Sequence, residues 1–142
     1  MSFELREHTA DVAVAADGSS LDEIFGAVAD GLAAAMCEAI PRDGGERFWV
    51  TAAAENREAL LYEFLAELIY QRDVRGVLPV DNQATVRHDD GTRTADAWQL
   101  DASARGVPLE TIDAREVKAV TYSEMTIEQA NDGWQAYVVF DV

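Results

Sequence analysis

Asn56-Arg57-Glu58-Ala59-Leu60-Leu61-Tyr62-Glu63-Phe64-Leu65-Ala66-Glu67-Leu68-Ile69 is the stretch that decides the fold. Leu60, Leu61, Phe64, Leu65, Leu68 and Ile69 recur at three- and four-residue spacings. On a helix of 3.6 residues per turn this gathers them on one broad apolar face, with Glu58, Glu63 and Glu67 turned to water. Asn56 suits the N-cap, where its side-chain oxygen accepts from an orphan N–H of the first turn. A helix with such a face must lie on other apolar surface, and the rest of the chain has to supply it.

Upstream, Ser20-Leu21-Asp22-Glu23 has the capping-box pattern, which places Ser20 against the Glu23 N–H while Glu23 reaches back. From there Leu21, Ile24, Phe25, Val28, Leu32 and Ala35 form a second helical stripe that ends before Pro41. Two strands precede it, Phe3 to Arg6 and Val12 to Ala16, flanking His8-Thr9-Ala10-Asp11 and closed by the Asp17-Gly18 turn. Between the helices, after an Arg42–Gly45 loop, Phe48, Val50 and Ala52 point one way along a strand ending near Ala54.

Downstream of Gly76 and Pro79 the helical period disappears. Thr85 to Arg87, Ala97 to Ala102 and Val117 to Tyr122 read as strands, separated by turns such as Asp89-Asp90-Gly91. Met125 to Glu128 and Trp134 to Phe140 read as a hairpin across Asn131-Asp132-Gly133, with the glycine taking positive φ. Nothing repeats and no linker divides the chain. The expectation is a compact α+β domain over residues 1–142, a mixed or antiparallel β-sheet with two amphipathic helices.

With 142 residues, 49% of them hydrophobic, the chain can bury a core. No apolar run approaches the ~18 residues of a membrane span, and the first residues lack a signal-peptide core, so a cytoplasmic protein is expected. Cys37, the one cysteine, sits among alanines and Met36 and reads as a small buried hydrophobe. The net charge of −16 disfavours non-specific nucleic-acid binding. Because the acids are scattered along the chain, and ten of eleven basic residues are arginine, we read the acidity as salt adaptation in preference to a docking face. The only lysine is Lys118.

No phosphate-binding glycine loop, Cys-x-x-Cys pair, His-Glu-x-x-His or nucleophile-elbow serine is present, so no catalytic residue is assigned. Two histidines, His8 and His88, make a zinc site improbable. Asp11 before Val12-Ala13-Val14 and Asp141 beside Phe140 are carboxylates in apolar strands. Read locally, Asp11 caps a turn and Asp141 is a solvated chain end. Read together with the Val142 carboxylate, they would offer the oxygen ligands that a hard cation takes. Lys118, Val120 and Tyr122 share one strand face, with Thr121 on the other. Trp49, Trp98 and Trp134 read as core or sheet-face residues.

Taken in order, His8-Thr9-Ala10-Asp11-Val12, Leu21 to Phe25, Leu60-Leu61 to Leu68, Val117-Lys118-Ala119-Val120-Thr121-Tyr122 and Phe140-Asp141-Val142 resemble the archease family over the whole chain. Departures are Ser123, where the family usually has histidine, and Val107 after Gly106, where an acid is common. The resemblance implies a cation, calcium first with magnesium or manganese as alternatives, held by positions corresponding to Asp11, Asp141 and Val142. It also implies that His8, Lys118, Thr121 and Tyr122 modulate function toward a partner. That partner is the GTP- and metal-dependent tRNA-splicing RNA ligase, whose guanylylation and repeated turnover such proteins promote without being enzymes. The rival readings are a general chaperone of RNA-processing enzymes and, further off, a metal-dependent hydrolase.

Overall fold

The computed structural model describes residues 2–8, 11–89 and 97–142, and for residues 6–8 the backbone only. Its elements in chain order are β1 (Ser2–His8), β2 (Asp11–Gly18), α1 (Leu21–Met36), β3 (Glu46–Ala54), α2 (Arg57–Arg75), β4 (Val77–His88), β5 (Trp98–Pro108), β6 (Ala119–Ala130) and β7 (Gly133–Asp141), with a short 3-10 turn at Leu109–Thr111. The strands form two antiparallel sheets, one ordered β1-β2-β7-β6 and the other β3-β5-β4. The fold is α+β, and each helix bridges both sheets: α1 packs on β4, β2 and β1, and α2 on β3, β6 and β4.

The helical stripes do what their spacing requires. Ile24, Phe25, Val28 and Leu32 of α1 and Leu60, Leu61, Phe64, Leu65 and Leu68 of α2 are buried, and the Phe25 and Phe64 rings stack at 6.4 Å. Each such side chain contributes on the order of 2 kcal/mol by leaving water. Of the α2 glutamates only Glu63 is exposed; Glu58 and Glu67 are half-buried, Glu67 accepting a bond from Gln71 one turn on. Asn56 caps α2 by accepting from the Ala59 N–H, and Gly76 closes it in the left-handed conformation (φ 67°). At α1, Ser20 accepts from the Glu23 N–H, but Glu23 reaches one residue further back than a capping box would, to the N–H and hydroxyl of Ser19. Those bonds hold its carboxyl below the usual glutamate range.

Several strands depart from the sequence reading. β4 begins at Val77, eight residues before Thr85, because Pro79 sits on an edge strand where a missing N–H costs little. Its alternation is broken by a bulge between Val80 and Gln83, where Asp81 takes φ 51°. β5 runs on to Pro108. The two stretches read as separate strands, Val117 to Tyr122 and Met125 to Glu128, are one bulged strand, β6, which starts at Ala119 and shifts register between Thr121 and Thr126. In the β6–β7 turn the positive φ belongs to Asn131 (55°), not to Gly133. Gly133 is needed for another reason: a Cβ there would stand 2.5 Å from the Gly18 carbonyl oxygen. Thr9, Ala10, Asp90 and Gly91, which the sequence places in turns, lie outside the described residues.

Candidate functional site

The first sheet carries one row of residues that chain order conceals. β1 pairs His8 with Asp11, β2 pairs Asp11 with Asp141, and β7 pairs Asp141 with Ala119 of β6. One residue further into the sheet, Val12, Phe140 and Val120 form the next row and are all buried in the core. Side chains alternate faces along a strand, so Asp11, Asp141 and Ala119 project together from the face opposite that core row. Directly opposed residues have Cβ atoms about 5 Å apart, and like charges placed so repel. A cation between them would offset that repulsion.

Two carboxylates on neighbouring strands fit a hard cation as part of an oxygen donor set, whose other members are main-chain oxygens and water. Among the described residues no group of three or more histidine, cysteine, aspartate or glutamate side chains gathers into a cage. Val142 follows Asp141 on the main chain, and its side chain packs half-buried against the core. His8 reaches the row through its backbone pairing with Asp11.

The hallmark stretch is divided between faces. Thr121 pairs with Val139 two residues along from the Ala119–Asp141 pair and so shares the carboxylate face, where its hydroxyl sits 3.5 Å from the Ser123 carbonyl oxygen. Val120 enters the core, and Tyr122 stacks on Tyr62 of α2, centroids 4.3 Å apart and planes 5° from parallel. Burial, then the charges of Glu63, Tyr62, Glu55 and Glu58, push the Tyr122 phenol above its ordinary range. Lys118 lies just ahead of β6, exposed, with its N–H donating to the Asp141 carbonyl at 2.8 Å. His88 is placed elsewhere, on β4 of the second sheet, stacked on Trp98 at 4.1 Å.

Sequence reasoning missed what fixes this sheet end. Arg72 of α2 is buried and donates through Nη1 to the Val117 carbonyl at 2.7 Å, with the Met36 sulfur at 3.2 Å. Arg115 donates from its backbone N–H to the Met36 carbonyl and through Nε to the Ala35 carbonyl, both at 2.7 Å, satisfying the end of α1. The segment leading into β6 is thereby pinned to both helices. The signal was present: Arg72 continues the Leu65, Leu68, Ile69 stripe at helical spacing, so a core-facing arginine needs an acceptor. Asp30 of α1 was missed as well. It accepts from the Asn82 N–H at 2.9 Å and from Nδ2 at 3.0 Å across the β4 bulge, and burial raises its carboxyl above the usual range despite those bonds.

Fold and sheet end together define a class: an α+β domain of two antiparallel sheets clasping two helices, with paired carboxylates where β2 meets β7. Residues 3–142 match the model of the Archease protein family (MTH1598/TM1083). Proteins named archease from Thermococcus gammatolerans and Thermococcus kodakarensis are each 38% identical over 144 residues, covering 99% of this chain and 98% of the relative. The solution structure of Methanobacterium thermoautotrophicum protein 1598 superposes with a TM-score of 0.78 at 28% identity, covering 99% of this chain and 98% of that one. A crystal structure from Thermotoga maritima, described as an archease and possible chaperone, shares the fold with a TM-score of 0.64 at 22% identity, over 98% and 96% of the two chains. The chain belongs to the archease family. None of its described helices is long and apolar enough to cross a membrane.

Proposed function

We propose that this chain is a cytoplasmic accessory protein, not an enzyme, which activates the GTP-dependent tRNA-splicing RNA ligase by promoting its guanylylation and repeated turnover. The observation that carries the reading is the register that sets Asp11 beside Asp141 in a member of this family. A divalent cation, calcium first with magnesium or manganese as alternatives, would neutralise the pair and supply Lewis acidity toward an oxygen of the partner. Asp11, Asp141 and a main-chain oxygen of Val142 would hold it, with His8 beside them in the backbone row. Thr121 offers a hydroxyl on the same face, and exposed Lys118 an ammonium for a phosphate or an acid of the partner.

Activation of this kind is a population shift, so the protein must bind the guanylylation-competent ligase more tightly than the resting one. A tenfold shift needs about 1.4 kcal/mol of differential affinity. Asp11→Ala and Asp141→Ala should each abolish activation and leave the ligase's unaided rate untouched; full activation by both would remove the carboxylate pair from the account. The hydrolase reading would use the same carboxylates to hold a metal and orient a water, and His88, on the other sheet, does not stand in their row. It predicts turnover of nucleotides or cyclic-phosphate RNA ends by the isolated protein, and we expect none. The chaperone reading draws on the Thermotoga relative's description and on a net charge of −16 suited to basic clients. Affinity capture yielding a spread of basic proteins, with no dominant ligase, would favour it.

A further inference from the structure

Tyr122 is among the most exposed large side chains of the fold, at 52%, although it belongs to a strand that packs on α2. Its ring lies flat on Tyr62, which covers one face. The charges of Glu63, Glu55 and Glu58 are felt at the Tyr122 phenol, and Glu58 stands one helical turn before Tyr62 on α2. Among the described residues none of these three carboxylates is held in an ion pair. The nearest cation in sequence, Arg57, is engaged elsewhere, its guanidinium 4.9 Å from the Trp134 ring centroid. Negative charge thus faces this aromatic surface, and among the described residues no ion pair neutralises it.

The geometry points to a docking surface for an arginine side chain of the protein partner, received on the open face of Tyr122 with the carboxylates of Glu55, Glu58 and Glu63 to pair with it. A guanidinium is planar, stacks on aromatic rings and pairs in a fork with carboxylates; an ammonium does the second less well and the first without a flat face. The platform stands on the helix side of β6, whereas Thr121 stands on the carboxylate side, so it is separate from the Asp11–Asp141 pair. The inference rests on the reading that the chain works by binding a protein. It explains why a half-exposed tyrosine is stacked on a second ring where a solvated strand position would take any polar residue.

The test compares wild type, Tyr122→Ala and the triple variant Glu55→Gln, Glu58→Gln, Glu63→Gln for binding the purified tRNA-splicing ligase by calorimetry at two salt concentrations. Both variants should weaken binding about tenfold, and the triple variant should flatten the salt dependence. Wild-type affinity in both variants overturns the proposal. Should wild type itself fail to bind the ligase, the proposed function falls, and the platform is then judged alone. The probe is the peptide acetyl-Gly-Arg-Gly-Arg-Gly-amide, followed by the Tyr122 ring resonances against a citrulline control. Ring shifts with the arginine peptide that vanish in the triple variant support the platform; no shift at millimolar peptide overturns it. Glu63→Asp, which keeps the charge, should bind nearly as wild type does, and its loss of binding equal to the triple variant's would refute a charge-based role.

Discussion

Replacing Asp11 by asparagine should change the sign of its effect on stability according to whether a divalent cation is present. The two carboxylates stand directly opposite across β2 and β7, and a like-charge pair so placed costs about 0.5 kcal/mol in water. In chelator, Asp11→Asn should therefore be as stable as wild type or more so by about that amount, a rise of roughly 1–2 °C in Tm for a domain this size. With calcium at a hundred times its dissociation constant, wild type should gain about 2.7 kcal/mol by mass action, and the variant, having lost half of its charged donor pair, should gain much less. The order of stabilities then reverses. The assay is thermal unfolding followed by circular dichroism at fixed ionic strength, with potassium chloride adjusted to match the added salt. A wild-type Tm that calcium, magnesium and manganese all leave unmoved would rule out a cation at this pair, and so would an Asp11→Asn variant that responds as wild type does.

Other consequences follow from particular contacts. Arg72→Met keeps the volume but leaves the buried Val117 carbonyl without its donor; it should cost about 2 kcal/mol in urea unfolding and speed hydrogen exchange at the Lys118 N–H, whereas unchanged exchange there would disconnect Arg72 from the sheet end. Gly31→Ala puts a Cβ 2.5 Å from a Val14 methyl, so overpacking of about 1–3 kcal/mol should outweigh the helix-propensity gain of about 1 kcal/mol; a variant as stable as wild type would place α1 further from β2. Asp30 carries a carboxyl raised in the folded state, so its contribution is fully present below the unfolded value of 3.8 and is lost as pH rises through the folded value. The stability difference between Asp30→Asn and wild type should accordingly move in favour of the variant as pH climbs from about 4 toward neutrality, and a difference flat with pH would mean that Asp30 is as well solvated folded as unfolded.

Local chemistry was legible, and distant pairing was not. Both helices could be placed because their periodicity, their caps at Ser20 and Asn56 and the stop at Gly76 are all written within a few residues. The strands read at Phe3 to Arg6 and Val12 to Ala16, and the pairing of the last two strands across Asn131-Asp132-Gly133, were legible for the same reason. β4 was hidden because Pro79 on an edge strand and the Asp81 bulge both mimic a loop. β6 was cut in two by the bulge after Thr121, where Glu124 takes φ 63° and the alternation of faces is lost. The pairing of Asp11 with Asp141 joins strands from opposite ends of the sequence, and no local pattern can set that register. Only the likeness to a family suggested it beforehand. Tyr122 was singled out by that likeness too, but its stacking on Tyr62 depends on how α2 lies against an edge strand, which the helical stripe alone does not determine.

Activation of the ligase is the proposed role on which the rest depends. It is tested most directly by single-turnover guanylylation of the cognate tRNA-splicing ligase, with and without this chain, at high potassium chloride and with manganese or magnesium. The expected result is a clear increase in the guanylylation rate that disappears with Asp141→Ala. A rate identical with and without the protein, under conditions where the ligase guanylylates unaided, would contradict it.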